Sequence, residues 1–214
     1  MLFRSPRSTV LYLDITNLAK EFGVDTIPQT HPEHASFIGD RPYLEHTFQL
    51  VFCDGQVLRK HLRGEYREQQ EAARLQVSQL ILALQRIRTG GTMVMLLHKI
   101  EAWHNVELLY LFSQFSSVQV FKPEKKHAIR SSFYLVAKNV QPKAVAARSA
   151  VEMWKQDWWQ ATFGGQNGTG AMKEAADECY VEAVLEEFCR VLMELGRPVW
   201  QIQANALSRK DFAK

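Results

Sequence analysis

No stretch of this chain is apolar for long enough to cross a membrane as a helix. It has only three cysteines, Cys53, Cys179 and Cys189, which form neither an even disulfide framework nor a metal-ligand spacing. Reduced thiols in an intracellular compartment are therefore expected. No G-x-G-x-x-G follows an apolar run, which argues against a dehydrogenase-type dinucleotide site. Neither sign of charge dominates: the net charge is +3, which permits a nucleic-acid partner without demanding one. The opening MLFRSPRSTV carries arginines with no adequate apolar region after them, so no secretory signal is expected. What remains is a soluble globular composition, 46% apolar and 23% charged over 214 residues. That is enough for one sizeable core, or for a domain plus an extension.

The stretch that organises the rest is FQLVFCDG, Phe48 to Gly55. A short apolar run bounded by a turn signal reads as a buried parallel strand. In an open α/β sheet, ligands sit just beyond the carboxyl ends of the strands. Asp54 occupies that place, and Gly55 lets the backbone turn tightly or approach a ligand. Two readings stand side by side: Asp54 as a functional carboxylate, or as an ordinary turn residue capping the next element. Cys53, inside the strand, is expected to pack there.

A second apolar run, Val10 to Leu13, also ends in an acid, Asp14, and reads as another strand. Thr16 to Phe22 predicts one or two helical turns, with Leu18 and Phe22 at i, i+4 and Gly23 as the stop. Asp25 to His46, with three prolines, reads as a long surface loop; His31, His34 and His46 lack ligand spacing and are expected to be solvated. A helix is predicted over about Tyr66 to Arg88, ended by Gly90-Gly91, because Ala73, Val77, Leu80, Ile81, Leu84 and Ile87 share one face. Ahead of it, Arg59, Lys60, His61, Arg63 and Arg67 form either a solvated helix start or a phosphate-contacting patch.

Thr92 to Leu97 predicts a further strand, followed by His98-Lys99. A helix over Asn105 to Phe115, a strand over Val118 to Phe121, a basic loop KPEKKHAIRSS and a strand over Phe133 to Ala137 complete the pattern. The last two strands are expected to pair as an antiparallel hairpin at a sheet edge. Strands alternating with helices indicate an α/β sheet, mostly parallel. From Gln141 the pattern changes to helices: Ala147, Ala150, Val151, Trp154 and Trp158 share a face, GGQNGTG connects, and a last helix is predicted over about Lys173 to Leu195. This tail can fold back on the sheet or meet a protein partner. Its tryptophans read as core.

In that order, strand-Asp, strand-Asp-Gly, long helix, GGTMVMLLHK, helix and FKPEKKHAIRSSFYLVAKN, the chain resembles the latter part of an FtsJ-like methyltransferase, and is similar to fungal members of that family. The resemblance covers residues 1–140 and says nothing of a helical extension at 141–214. It implies a partial Rossmann-like methyltransferase sheet, S-adenosylmethionine as cofactor and RNA as substrate, methylated at the ribose 2′-oxygen. It implies a Lys-Asp-Lys-Glu set around that hydroxyl. Asp54 matches the catalytic aspartate and also borders the cofactor; Asp14 matches the acid that contacts the cofactor's adenine. Lys99 is the candidate for the second lysine, although the family's lysine falls nearer Leu96. Lys122, Lys125, Lys126 and Arg130 are expected to face the RNA backbone, and no metal is implied. Two departures accompany it: Ser132 stands about where the family has a glutamate, and the glycine-rich cofactor loop with its strand and helix would precede Val10. A sheet lacking that first unit is expected to expose a strand edge and an apolar face.

Overall fold

The computed structural model describes residues 9–58 and 63–210. Four strands and four longer helices follow in the order β1 (Phe48–Cys53), α1 (Glu71–Arg86), β2 (Ile87–His98), α2 (Trp103–Ser113), β3 (Ser117–Phe121), β4 (Ser132–Val140), α3 (Val145–Phe163) and α4 (Glu178–Leu207). They form a mixed sheet of order β1-β2-β4-β3. β1 and β2 are parallel, whereas β4 runs antiparallel to both β2 and β3, so three strands point one way and β4 is reversed between them. The β3–β4 pair is the expected antiparallel hairpin, joined by the basic loop.

Strand alternation gives the sheet two unlike faces. On one, Met93, Met95, Leu97, Phe133, Leu135 and Ala137 are fully buried and join residues of all four helices in a single core. On the other, register places Phe52, Val94, Val136 and Gln119 in one row across the strands, and Leu96, Tyr134 and Phe121 in the next. This face stays open: Leu50 is 51% exposed, Phe52 65% and Phe121 57%. β1 is therefore an exposed edge strand, not the buried one its apolar run suggested. Composition alone cannot distinguish a strand covered on both faces from one covered on a single face.

The N-terminal segment departs further from expectation. Val10 to Leu13 form no strand; Val10, Leu11 and Tyr12 are exposed. Instead Asp14 caps a 3₁₀ turn, Ile15–Asn17, its Oδ1 accepting from the Thr16 amide and hydroxyl at 2.9 and 2.7 Å. An Asp-x-Thr sequence satisfies its own backbone this way and needs no sheet. A second turn, Ala19–Phe22, does end at Gly23, whose φ of 87° is the left-handed conformation expected there. Leu18 and Phe22 bury fully.

This segment is bolted onto α1 and α3. Trp158 on α3 donates its indole N–H to the Thr16 carbonyl at 2.9 Å. Arg74 on α1, 1% exposed, donates to the Thr16 carbonyl and to Asn17 Oδ1, and its guanidinium lies near the rings of Phe37 and Trp158. Glu21 is buried between Arg86 at 2.7 Å and Arg41 at 3.1 Å. His31 is also buried, ringed by Phe37, Tyr66 and Phe163, and hydrogen-bonded to the Thr162 carbonyl; it is not the solvated loop histidine expected.

Helix α1 stops at Arg86 and β2 starts at once, so Gly90-Gly91 lie inside the strand and do not end a helix. Phe48 pairs with Ile87 but Leu50 with Thr92, so the intervening β2 residues bulge out. Gly90 there has φ 80°. A Cβ on Gly91 would come within 3.1 Å of the Gln49 carbonyl and 2.7 Å of Ile87 Cγ1. The glycine pair permits a close crossing of strands, which from sequence looks the same as a helix stop. Trp154 and Trp158 are core residues, as expected.

Candidate active site at the carboxyl ends of β1 and β2

Asp54 is the first residue past β1, exposed to solvent, and it makes no hydrogen bond or ion pair with the described residues. The residue after it is held firmly. Gly55 donates its N–H to Gln79 Oε1 at 2.7 Å, and its carbonyl accepts from Gln79 Nε2 at 3.1 Å. Gln79 lies on α1, so one side chain fixes the turn that carries Asp54. Beside it Cys53 is buried, which pushes its thiol up to about 12.

A crevice of about 160 Å³ opens here between the turn after β1, the N-terminal half of α1, the end of β2 and the start of α2. Gly55, Gln79, Leu96, His98, His104 and Asn105 all line it. Asn105 closes the β2–α2 turn by donating Nδ2–H to the carbonyls of His98 and Lys99. Lys99 sits in that turn with φ 59°, its amide donating to the Ser131 carbonyl at 3.0 Å. A non-glycine residue held left-handed is strained, and such strain gathers at functional sites. Burial holds the His104 ring below its ordinary value, and the Lys99 charge adds to that effect. Burial lowers His98 too, assisted by the charges of Arg130 and Lys122. Both rings therefore take up a proton less readily than an ordinary histidine.

Several residues expected at the site lie elsewhere. Asp14 does not line this crevice, and neither do Asp54 and Lys99, which stand in the turns beside it; Asp14 Oδ2 lies 3.5 Å from Arg67. Lys122 is buried, with its ammonium donating to the carbonyls of Arg130 and Ser132. It pins the β3–β4 loop and does not face a polyanion; burial lowers its pKa. Lys125, Lys126 and Arg130 on the same loop are exposed, and Arg130 approaches the crevice closely enough to act on His98. Of the basic group before α1, Arg59, Lys60 and His61 lie outside the described residues. Arg63 pairs with Glu68, and Arg67 is buried among Glu33, Glu71 and Asp14, so neither presents a bare charge to phosphate.

The deciding observation joins this geometry to sequence: a family model described as FtsJ-like methyltransferase matches residues 2–140. The chain belongs to the FtsJ-like methyltransferase family. No curated protein matches it significantly. Asp54 stands at the carboxyl end of β1. Leu96, half-buried, lines the crevice without a charge. Ser132 pairs with His98 in the sheet and brings no carboxylate. Sequence reading missed Gln79, His98, His104 and Asn105. His98 and Asn105 stood beside residues already singled out, but only folding brings Gln79, on α1, against Gly55.

Among the described residues no helix is long and apolar enough to cross a membrane, and no cluster of metal-ligating side chains forms.

Proposed function

We propose that this methyltransferase-family chain is the acceptor-side half of an S-adenosylmethionine-dependent RNA ribose 2′-O-methyltransferase. The observation that carries the reading is Asp54: an unpaired, exposed carboxylate at a β-strand tip, on a turn clamped by Gln79. A carboxylate so placed accepts a hydrogen bond from a ribose hydroxyl and orients its oxygen. The Lys99 ammonium stabilises negative charge growing on that oxygen. Lys125, Lys126 and Arg130, exposed on the adjoining loop, meet the phosphates of the substrate strand.

The cofactor is a different matter. A crevice of about 160 Å³ falls short of the roughly 300–1,000 Å³ typical of small-molecule sites. Asp14, the acid expected at the adenine, is engaged with Thr16 and Arg67. The residues present do not enclose S-adenosylmethionine, and no step is derived through it. The open sheet face and the free edge of β1 support the remaining half of the reading. They match the surface on which a further parallel strand and its helices, carrying the glycine-rich loop, would pack. Such a unit would come from a segment outside this chain.

A second reading is favoured by Leu96 and Ser132: a non-catalytic relative that binds RNA through the basic loop, or a protein partner through α3 and α4. Titration calorimetry with S-adenosylmethionine separates the two. The chain alone is expected to give no heat, and a form extended by the in-frame upstream sequence is expected to bind. No binding by either form would leave only the non-catalytic reading. In an extended form that methylates RNA, Asp54→Ala is expected to abolish transfer; unchanged transfer would remove Asp54 from the chemistry.

A further inference from the structure

A cavity of about 640 Å³ opens at the opposite ends of the strands. Thr47, which precedes β1, and Ile87 to Thr89, which begin β2, form one side; Pro142, Lys143 and the first turns of α3 form the other. Along β2 at about 3.3 Å per residue, this is roughly 30 Å from the His98 end, so it does not overlap the crevice lined by Gly55 and His98.

Its lining is divided by chemistry. Leu84, Ile87 and Val151, all buried, make an apolar floor. Arg88, Lys143 and Arg148 stand exposed around it, and none pairs with a described carboxylate. Arg148 is steered across the opening by a bond from Nη1 to the Lys143 carbonyl at 3.0 Å. The one lining acid, Glu152, is already paired with Lys155 at 2.8 Å. Gln85 also lines the cavity, and its Oε1 is buried with no hydrogen-bond partner among the described residues.

We infer that this cavity binds a nucleotide: a flat base over Leu84, Ile87 and Val151, and phosphate held by Arg88, Lys143 and Arg148. Its volume lies within the range of small-molecule sites. An apolar floor alone would suit any aromatic ring, and cations alone any anion. Both together select a flat ring that carries a phosphate. The inference does not rest on methyl transfer by the Asp54 site. The nucleotide can be free or part of an RNA strand, since the recognising chemistry is the same.

The test is titration calorimetry of the chain with AMP, CMP, GMP and UMP singly, with inorganic phosphate, and with a single-stranded RNA octamer. Amide chemical-shift mapping is followed in parallel. At least one mononucleotide is expected to bind at micromolar to millimolar concentration, shifting the amides of Gln85, Arg88 and Thr89. The double variant Lys143→Ala/Arg148→Ala, both exposed positions, is expected to weaken it tenfold or more with an unchanged circular dichroism melt. An octamer that binds over tenfold tighter than the best mononucleotide assigns the site to RNA; equal affinity assigns it to free nucleotide. Inorganic phosphate binding as tightly as every nucleotide would overturn the inference. So would absence of binding by all nucleotide probes, or shifts confined to residues remote from the cavity.

Discussion

Gln79 is the residue through which α1 holds the Asp54 turn, and its contribution can be worked out from two bonds. Gly55 N–H to Oε1 spans 2.7 Å and Nε2 to the Gly55 carbonyl 3.1 Å. Replacing Gln79 with Leu removes both and keeps most of the bulk. At about 1 kcal/mol net per hydrogen bond the loss is about 2 kcal/mol. Gly55 is exposed, however, so its freed backbone groups can rehydrate, which brings the cost toward about 1 kcal/mol. With tenfold corresponding to about 1.4 kcal/mol, the open turn becomes roughly 5–30 times more populated. Native-state hydrogen exchange at the Gly55 amide reads that opening directly. A rate within twofold of wild type would refute the clamp.

Gln79→Glu sharpens the test. The acceptor survives, but the donor becomes a second acceptor aimed at the carbonyls of Gly55 and Leu75. A protonated carboxyl restores the donor, so the folded state raises the new group's pKa above the ordinary value near 4.3. The unfolded chain then deprotonates first, and stability falls as pH rises from about 4.3 through the folded value. The variant should approach wild type at the acid end and diverge from it toward neutrality. A penalty independent of pH would mean that the side chain does not face those carbonyls.

Glu21→Ala leaves Arg86 buried without its partner and should cost about 3–5 kcal/mol in urea unfolding at unchanged m-value; a loss below about 1 kcal/mol would show that the pair contributes little. Burial holds His31 below its ordinary pKa near 6.5, so the unfolded chain takes up a proton there that the folded chain refuses. Stability therefore falls as pH drops below about 6.5, and His31→Phe should reduce that slope by up to about 1.4 kcal/mol per pH unit; equal slopes in the two proteins would sink the assignment. Cys53 should resist iodoacetamide at pH 8 in the native protein while the exposed Cys179 and Cys189 react, so mass spectrometry should find two adducts; a third under native conditions would contradict its burial.

Much of the helical and strand order was legible because period carries it. Leu80, Ile81 and Leu84 repeat at helical spacing and bury as one face. The runs before Asp54, before His98 and around Leu135 are strands in the expected places. The errors share a cause. Val10 to Leu13 has strand composition but no neighbour to pair with, and Gly90-Gly91 has stop composition but lies where two strands cross closely. Lys122 has the composition of a phosphate contact, yet its ammonium is spent on two backbone carbonyls. In each case a long-range partner, present or missing, overrode the local signal.

Asp54 and its turn, the helix faces, the hairpin reversal of β4 and the family itself follow from the order of residues along the chain, because each depends on neighbours a few positions away or on a motif read in line. Which face of the sheet is covered, which histidine is buried, and which side chain holds the Asp54 turn were decided only when distant segments met. Burial and hydrogen bonding are properties of pairs, and the two members of the pair that matters most here, Gly55 and Gln79, are brought together only by the folding of α1 against the end of β1.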